Sequence, residues 1–394
     1  MRQSTLIFSI FFLALSFLSY YIITILQITK IKELVNSENC TYYPGLLGPE
    51  DIVNWNNIAI AISDDKSQLW YGKGKIEDVE SGGFYAIFPK AREKEGVIKK
   101  IEIEGLPEKI KFHPHGIYLY QDKIYAINHA YNRGGERVEI FDIMKKGENV
   151  SLKYNDSILF EEKNLFGMFN DLAILNTQEF FISKWIAFPQ IEKAMNLPET
   201  IWSFIRRNIY GLFLPSTYTY YCVIEKKYDN KTFENFNEAN CQKMEATKSK
   251  MNNGISYNGG NILAIAHTVE KVIKIFEIVE RKEPPLKDLK ILREIYIGAG
   301  IDNINYDKDT NSFYVAALGR IIDFFLVEKM AKEKGKVYGL GLISGAYRIN
   351  IDDDYSVETL VEQNHINMIS VACKLDKFLV LGGPFEDGIS ICLI

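Results

Sequence analysis

The sequence predicts an all-β fold that follows one N-terminal hydrophobic helix. Two observations support this: strand–turn–strand segments recur along the chain, and the segment from Leu6 to Leu26 is almost wholly apolar. The length of 394 residues is large for one compact domain, yet no Pro/Gly/Ser linker divides the chain after residue 50. A repeat architecture accounts for this length within a single domain.

The N-terminal segment has the length of a membrane span. No charged residue lies between Gln3 and Thr29, and at 1.5 Å per residue the apolar run reaches roughly 30 Å, a bilayer core. A cleaved signal peptide is the alternative, with a weak site at 14–16, but the apolar run continues past that site. We therefore expect a short tail over 1–4 and a transmembrane signal anchor over 5–28.

The remaining chain divides into a stalk and a body. We expect the stalk over 29–48 and the body over 49–394, with a long insert at about 186–250. Four N-x-Ser/Thr glycosylation sequons stand at Asn39, Asn149, Asn155 and Asn230. Together with the anchor, they predict a single-pass membrane glycoprotein of the endoplasmic reticulum or plasma membrane, with a luminal or extracellular body.

Cysteine use agrees with an oxidising compartment, in which four of the five cysteines can pair. A bond between Cys40 and Cys392 would tie the two ends of the body together. Cys222 and Cys241 flank a polar loop that a bond between them would staple. Cys373 lies in an apolar run, which predicts a buried free thiol.

The charge pattern argues against a nucleic-acid partner. The formal net charge is −5, the sequence pI is about 5.7, and no long basic block occurs.

The repeat is clearest in two segments. HGIYLYQDKIYAINHA, from His115 to Ala130, aligns with NGISYNGGNILAIAHT, from Asn253 to Thr268, at the Gly-Ile, the polar turn, the Ala-Ile and the final histidine. Weaker copies begin at Asp51, Asn170, Asn303 and near Ile369.

About six such copies, each with room for four strands, predict a six-bladed β-propeller. A pair of β-sandwiches and a β-helix are the alternatives. A Cys40–Cys392 bond would close the propeller ring.

Five successive copies begin with polar residues, and four of these openings carry carboxylate or amide oxygens. In a propeller, equivalent positions of successive blades converge on the central channel, so these side chains would face one axis. Carboxylate and amide oxygens suit Ca²⁺, whereas the thiolates and multiple imidazoles typical of zinc are missing from this set. The candidate ligands are Glu50, Asn170, Asn253, Asp302 and Asn303.

Several strings in the same order resemble the paraoxonase family of arylesterases and lactonases, from about Cys40 to Cys392. They are GPEDI at 48–52, HPHGI at 113–117, INHA at 127–130, FNDLA at 169–173, NNGIS at 252–256 and IDNI at 301–304. The two terminal cysteines and the apolar N-terminus add to the resemblance. It implies a six-bladed propeller with two calcium ions in its channel.

The resemblance also implies roles for individual residues. The five candidate ligands would hold the catalytic calcium, and Asp51, Asp171 and the backbone carbonyl of Ile117 would hold a structural calcium. His115 and His129 would form the catalytic pair, with His115 as general base on a water and His129 orienting it. His113, two residues before His115, is expected to serve packing or a supporting contact.

The spacing from His115 to His129 can be applied to the first residue of the other copies to find equivalent positions. Lys184, His267 and Ala317 lie at this offset and are expected to line the channel mouth and influence the substrate. In the family, positions near Lys184 and Ala317 include histidines, so this chain departs from the pattern there. For His267, an inert packed side chain is the alternative.

The insert contains an amphipathic helix from Glu199 to about Leu214. In the family, this region forms a lid over the site that also touches membrane, and aromatic-rich amphipathic helices do lie at interfaces. Packing of the helix on top of the propeller is the alternative.

The expected activity is calcium-dependent hydrolysis of lactones and aryl esters. The alternative is a non-catalytic propeller, a chaperone or accessory subunit for membrane proteins such as ion channels. A hydrolase needs Glu50, Asn253 and His115 for turnover, whereas a chaperone tolerates their loss.

Overall fold

The computed structural model describes residues 2–71, 75–90, 97–131, 136–146, 149–160, 165–229, 234–283, 286–334, 337 and 340–394. The described chain is mostly β-structure. Its helices are α1 (Arg2–Leu26), α2 (Lys66–Tyr71), α3 (Ile191–Ala194), α4 (Ile201–Phe213) and α5 (Ile321–Lys334), with short 3₁₀ turns at Ser37–Asn39 and Ile76–Asp78.

The strands fall into six antiparallel units of four. The first three units are β2–β5 (Ile52–Trp55, Ile58–Ser63, Gly83–Ile87, Ile98–Glu104), β6–β9 (Pro114–Tyr120, Lys123–His129, Glu136–Lys146, Asn149–Phe160) and β10–β13 (Phe169–Ile174, Glu179–Lys184, Thr217–Asp229, Glu234–Ser249). The next two are β14–β17 (Asn252–Tyr257, Ile262–His267, Val272–Glu280, Lys287–Tyr296) and β18–β21 (Gly300–Asp307, Ser312–Gly319, Ser344–Asn350, Ser356–Gln363). The last joins β22–β24 (Val371–Leu375, Phe378–Gly382, Gly388–Leu393) to β1 (Cys40–Pro44).

The first strands of the units form a closed cycle. Strands β2, β6, β10, β14, β18 and β22 each contact the next, and β22 contacts β2. The arrangement is propeller-like, and every strand–turn–strand copy found in the sequence corresponds to the inner pair of one unit.

Neighbouring units cover each other's faces, which explains the apolar runs. All six side chains of β3, sequence IAIAIS, are buried, and so are all eight of β19. A strand covered on both faces has no solvent side and loses the polar alternation of an exposed sheet. The first three units also join at their outer edges, where β9 pairs in parallel with both β5 and β13.

The ring closes through the chain's two ends. Strand β1 pairs with β24 in a register that places Cys40 opposite Cys392, and these two cysteines form a disulfide. The segment 29–48, expected to be a stalk, therefore contributes a strand to the body. That part of the domain prediction was wrong, because β24 would otherwise be an unpaired edge.

The insert is shorter than expected. Within 186–250, strands β12 and β13 are the outer strands of the third unit, and a Cys222–Cys241 disulfide links them. Only the segment with α3 and α4 lies outside the sheets. The predicted helix is confirmed as α4, whose N-cap Thr200 accepts a hydrogen bond from the Ser203 backbone N–H at 3.1 Å.

Helix α1 contacts the body at its C-terminal end. Tyr21 packs near Phe213 of α4 with ring centroids 5.7 Å apart, and Gln27 donates to the Gly298 carbonyl at 2.6 Å. In the portion of the chain described by the structure, no helix combines the length and apolarity needed to cross a membrane. Of the sequon asparagines, Asn39, Asn149 and Asn155 are exposed, and Asn230 lies outside the described residues.

We predict that the two disulfides differ in their effect on stability. Replacing Cys40 and Cys392 with serine opens a closure that spans 352 residues of sequence and should cost about 2–5 kcal/mol of unfolding free energy. The matched Cys222/Cys241 replacement opens a span of 19 residues within one strand pair and should cost less. Denaturant unfolding of the three proteins measures both, and an equal or smaller loss for the terminal pair would contradict this account.

Candidate calcium and catalytic site

The inner strands approach closely where each unit begins. A Cβ atom on Gly116 would lie 2.3 Å from the Asn170 carbonyl oxygen, and one on Gly254 would lie 2.4 Å from the Asn303 Cα atom. Glycine is therefore required after His115 and after Asn253. These two close approaches bring the ligand-bearing residues of successive units around one axis.

The five residues predicted as ligands of the catalytic calcium meet there. All are buried, between 1% and 6% exposed. Each presents one buried oxygen that has no hydrogen-bond partner in the protein. These oxygens are Glu50 Oε2, Asn170 Oδ1, Asn253 Oδ1, Asp302 Oδ1 and Asn303 Oδ1. Buried polar atoms are normally satisfied, so five such oxygens together call for a positive partner.

Neighbouring groups fix the direction of the amides. Asn303 Nδ2 donates to Glu50 Oε1 at 2.9 Å, and Asn170 Nδ2 lies 3.0 Å from His115 Nε2. The Asn253 side chain hydrogen-bonds Asp302. Because the nitrogen end of each amide is engaged, the oxygen end is the one left for a ligand.

Burial destabilises the ionised forms of the carboxylates at the axis. Burial raises the pKa of Glu50 to about 7, against the opposing effects of Lys66 and the Asn303 hydrogen bond. Burial likewise raises the pKa of Asp302, and the nearby charge of Glu50 adds to this effect. A bound cation would favour the ionised forms of both groups.

The predicted structural site is built differently. Asp51 accepts from the backbone N–H groups of Ile52 at 2.8 Å and Ile117 at 2.7 Å. Asp171 accepts from those of Leu172 at 2.7 Å and Ile255 at 2.8 Å. Each carboxylate thus links two neighbouring inner strands. Burial raises the pKa of both, and the charge of Asp171 adds to the effect on Asp51.

The set with five unpaired oxygens fits calcium, whereas the carboxylate oxygens of Asp51 and Asp171 already accept backbone N–H groups. A group of three or more His, Cys, Asp or Glu side chains arranged for a metal is absent from the described residues. Hard oxygen donors with flexible geometry are the ligands Ca²⁺ prefers. The residues present would hold this ion at the unpaired oxygens.

The two predicted catalytic histidines lie side by side. Their ring centroids are 4.7 Å apart, and both are almost fully buried. His115 Nδ1 lies 3.8 Å from Glu50 Oε2 and has no hydrogen-bond partner in the protein. Burial lowers the pKa of both rings, and the proximity of His129 adds to the effect on His115. Both rings are therefore in the neutral form at neutral pH.

Sequence reasoning missed Glu136, the partner of His129. Its Oε1 lies 2.8 Å from His129 Nδ1, and its Oε2 accepts from the Phe169 backbone N–H at 2.9 Å. Burial raises the pKa of Glu136, and the backbone N–H groups oppose this shift. Glu136 faces His129 across the β7–β8 pair, so extending the register back from the RVEIF strand would have identified it.

A second buried network supports the strand that carries His115. Lys66, which is fully buried, pairs with Asp64 at 3.0 Å and donates to the Pro114 carbonyl. His113 Nδ1 contacts Asp64 Oδ1 at 3.2 Å. His113 therefore makes a supporting contact, one of the two roles expected for it. The buried lysine was not predicted.

A cavity of about 500 Å³ lies above the axis. Glu50, His115, Asn170, Asn253 and Asp302 form its floor. Helices α3, α4 and α5 contribute its upper wall. The aromatic residues that line it are Trp70, Tyr71, Trp185, Phe188, Phe324, Phe325 and Phe385.

The three predicted mouth positions were wrong by one residue. Lys184, His267 and Ala317 do not line this cavity as the described residues enclose it. Trp185, Thr268 and Leu318, each one position later, do line it.

Successive side chains of a strand point to opposite faces of its sheet. The positions chosen by the offset from His115 to His129 point into the packed sheets, and the next residues point into the cavity. Ala317 lies in the core, and His267 is buried with neither ring nitrogen hydrogen-bonded. Burial lowers the pKa of His267 to about 3, consistent with the packed alternative.

The comparison with protein families gives one match. The arylesterase family model matches residues 76–211, about a third of the chain. The match confirms the resemblance over this segment. The segment contains His115, His129, Asn170 and Asp171, whereas Glu50, Asp51, Asn253, Asp302 and Asn303 lie outside it. A comparison with curated proteins found no significant match.

Three solved structures are similar in outline. A candidate gluconolactonase is 12% identical over 90% of this chain and 92% of that chain, with a TM-score of 0.46. The periplasmic gluconolactonase of Pseudomonas aeruginosa is 10% identical over 87% and 80%, with a TM-score of 0.44. A protein from Lactobacillus plantarum is 11% identical over 82% and 73%, with a TM-score of 0.39. At these values, the likeness says nothing about activity.

We predict that Gly254→Ala disrupts the axis. The new Cβ would clash with backbone atoms of Asp302 and Asn303, and overpacking of this kind costs about 1–3 kcal/mol. Gly83→Ala is the control, because a Cβ there meets no atom within 4 Å. Thermal unfolding of both variants tests this, and a Gly254→Ala protein as stable as the Gly83→Ala protein would disprove the close approach.

Proposed function

We propose that this protein is a calcium-dependent hydrolase of lactones and aryl esters. The observation that carries the proposal is the set of five unpaired buried oxygens beside His115, four of which belong to residues on the floor of a cavity lined in part by aromatic side chains. The arylesterase match over 76–211 supports the same class of reaction. In this proposal, six blades surround a channel that holds two calcium ions.

The two calcium sites would have different roles, one catalytic and one structural. Glu50, Asn170, Asn253, Asp302 and Asn303 would hold the catalytic ion, and Asp51, Asp171 and the Ile117 carbonyl the structural ion. When bound, the catalytic ion supplies polarisation of the substrate carbonyl and stabilisation of the negative oxygen that forms on it. The aromatic walls exclude water and bind the apolar part of the substrate.

The histidine pair moves the protons. As the oxygen of a water adds to the carbonyl carbon, the His115–His129 pair takes one proton from it. When the bond between the carbonyl carbon and the ester oxygen breaks, the pair returns a proton to the leaving oxygen. A lactone gives a hydroxy acid, and an aryl ester gives a phenol and an acid. Glu136 holds the His129 ring in place during both transfers.

We also propose that α1 anchors the protein to a membrane of the secretory pathway, with the body in the lumen or outside the cell. The two disulfides suit an oxidising compartment. Three sequon asparagines, Asn39, Asn149 and Asn155, are exposed. On α4, Ile201, Trp202, Ile205 and Ile209 are exposed apolar side chains that suit contact with the same membrane.

The proposed activity predicts calcium-dependent turnover on a panel of small lactones and aryl esters. Chelation of calcium should abolish it, and His115→Gln and Asn253→Ala should each lower kcat by about a hundredfold or more. His365→Gln, at an exposed histidine, is the matched control and should keep full activity.

Folded, calcium-loaded protein without turnover would overturn the hydrolase. It would favour the non-catalytic alternative, a chaperone or accessory subunit for membrane proteins. In that case, the Asn253→Ala protein should still bind membrane-protein clients.

Glu136→Gln should separate positioning from binding. The change keeps the shape but weakens the hold on His129, so we expect kcat to fall about tenfold with KM nearly unchanged. Glu139→Gln is the control, because Glu139 lies buried on the same strand but bonds Asn128 and Ser157 instead. Equal losses of kcat in both variants would assign Glu136 to structure alone.

A further inference from the structure

The lid consists of helices α3, α4 and α5 and the segments next to them. It carries more positive charge than its acidic residues neutralise. Five basic side chains line the cavity, all from the lid helices or the segments next to them, and they fall into a paired and an unpaired set. They are Lys193, Arg206, Arg207, Arg320 and Lys332.

Three of the five are paired. Arg207 contacts Glu199 at 2.8 Å. Lys332 contacts Glu328 at 2.7 Å, and Arg320 contacts Asp323 at 2.7 Å. Their charges are compensated within the lid.

Lys193 and Arg206 are different. Neither forms an ion pair or hydrogen bond among the residues that the structure describes. The Arg206 guanidinium carbon lies 4.1 Å from the centre of the Phe188 ring, which fixes its position, while its Nε is buried without a partner. Glu192, an acid that also lines the cavity, accepts a hydrogen bond from Ser203. That hydrogen bond and the charges of Arg206 and Arg207 lower the Glu192 pKa.

The surroundings of Lys193 add to the excess of positive charge in the lid. Burial lowers its pKa to about 8, and the charge of Lys332 contributes to this shift. A cation that is desolvated without a partner is costly, so an anion bound beside it gains more than at an exposed lysine.

We propose that Lys193 and Arg206 form an anion subsite in the lid, which receives a carboxylate at the far end of the substrate. The inference rests on the proposed function, because it places the ester group at the channel floor. Between floor and lid, the walls are apolar, with Trp185, Phe188 and Leu318 among them. The substrate class is therefore a lactone or ester with an apolar chain that ends in a carboxylate.

The test uses two series of lactones with alkyl side chains of increasing length, one ending in a carboxylate and the other in a methyl group. The full-length protein should prefer the carboxylate series at one optimal length by about tenfold in kcat/KM. A double Lys193→Gln/Arg206→Gln variant should lose that preference and retain turnover of the methyl series within about twofold. Arg206→Lys should retain part of it.

Lys329→Gln is the matched control, because Lys329 is exposed on α5 and does not line the cavity. Its preference should be unchanged. Equal turnover of the two series by the unmodified protein, or equal loss of both in the double variant, would overturn the subsite.

A binding measurement keeps the subsite separate from the hydrolase. Quenching of Trp70 and Trp185, which line the cavity, can report binding of ω-hydroxydodecanoate and of the neutral dodecanediol. The double variant should weaken binding of the first by about tenfold and leave the second unchanged. This result would support the subsite even if no lactone were hydrolysed. Weakening by Asn253→Ala but not by the double variant would place the carboxylate at the channel floor instead and overturn the proposal.

Discussion

Everything in this molecule depends on the close convergence of six inner strands on one axis. The backbones approach until no Cβ fits at Gly116 or Gly254, and the polar residues around these glycines are buried close together. Glu50, Asp51, Asp171 and Asp302 are buried together there, and burial raises the pKa of all four. Buried carboxylates gathered in this way are stabilised either by protonation or by a bound cation. The proposed calcium ions would therefore stabilise the architecture as well as supply chemistry.

The rest of the body holds that axis closed. A ring of units resists opening only if its last contact is as strong as the others, and here the β1–β24 pair and the Cys40–Cys392 bond provide that contact. The buried pair of Lys66 and Asp64 braces the strand that carries His115. Asp51 and Asp171 join neighbouring strands through backbone N–H groups. These two carboxylates therefore connect neighbouring units at the axis.

The sequence was most informative where the constraint was tightest. Five of the six copies begin with a polar residue that lies buried at the axis, and in two of these copies a glycine that the close approach needs follows it. The repeat therefore revealed the inner strands and the buried polar residues at the axis. It failed where position depends on which face a side chain occupies: the offset to His129 selected Lys184 and His267, whose neighbours Trp185 and Thr268 line the cavity instead. Outer strands β12 and β13 were mistaken for an insert, since they carry no ligand pattern. Glu136 was missed because its role depends on pairing across β7 and β8.

The division between floor and lid explains how one scaffold could change substrates without changing its reaction. The floor residues are fixed by packing, and a substitution there disturbs the axis. The lid helices lie outside the sheets, and no side chain of α4 is fully buried, so its polar residues can vary at little cost to the fold. An Arg206 held by Phe188 and a Lys193 without a carboxylate are therefore features that stability alone does not require. A positive charge beyond what Glu192 compensates is most simply explained by an anionic ligand.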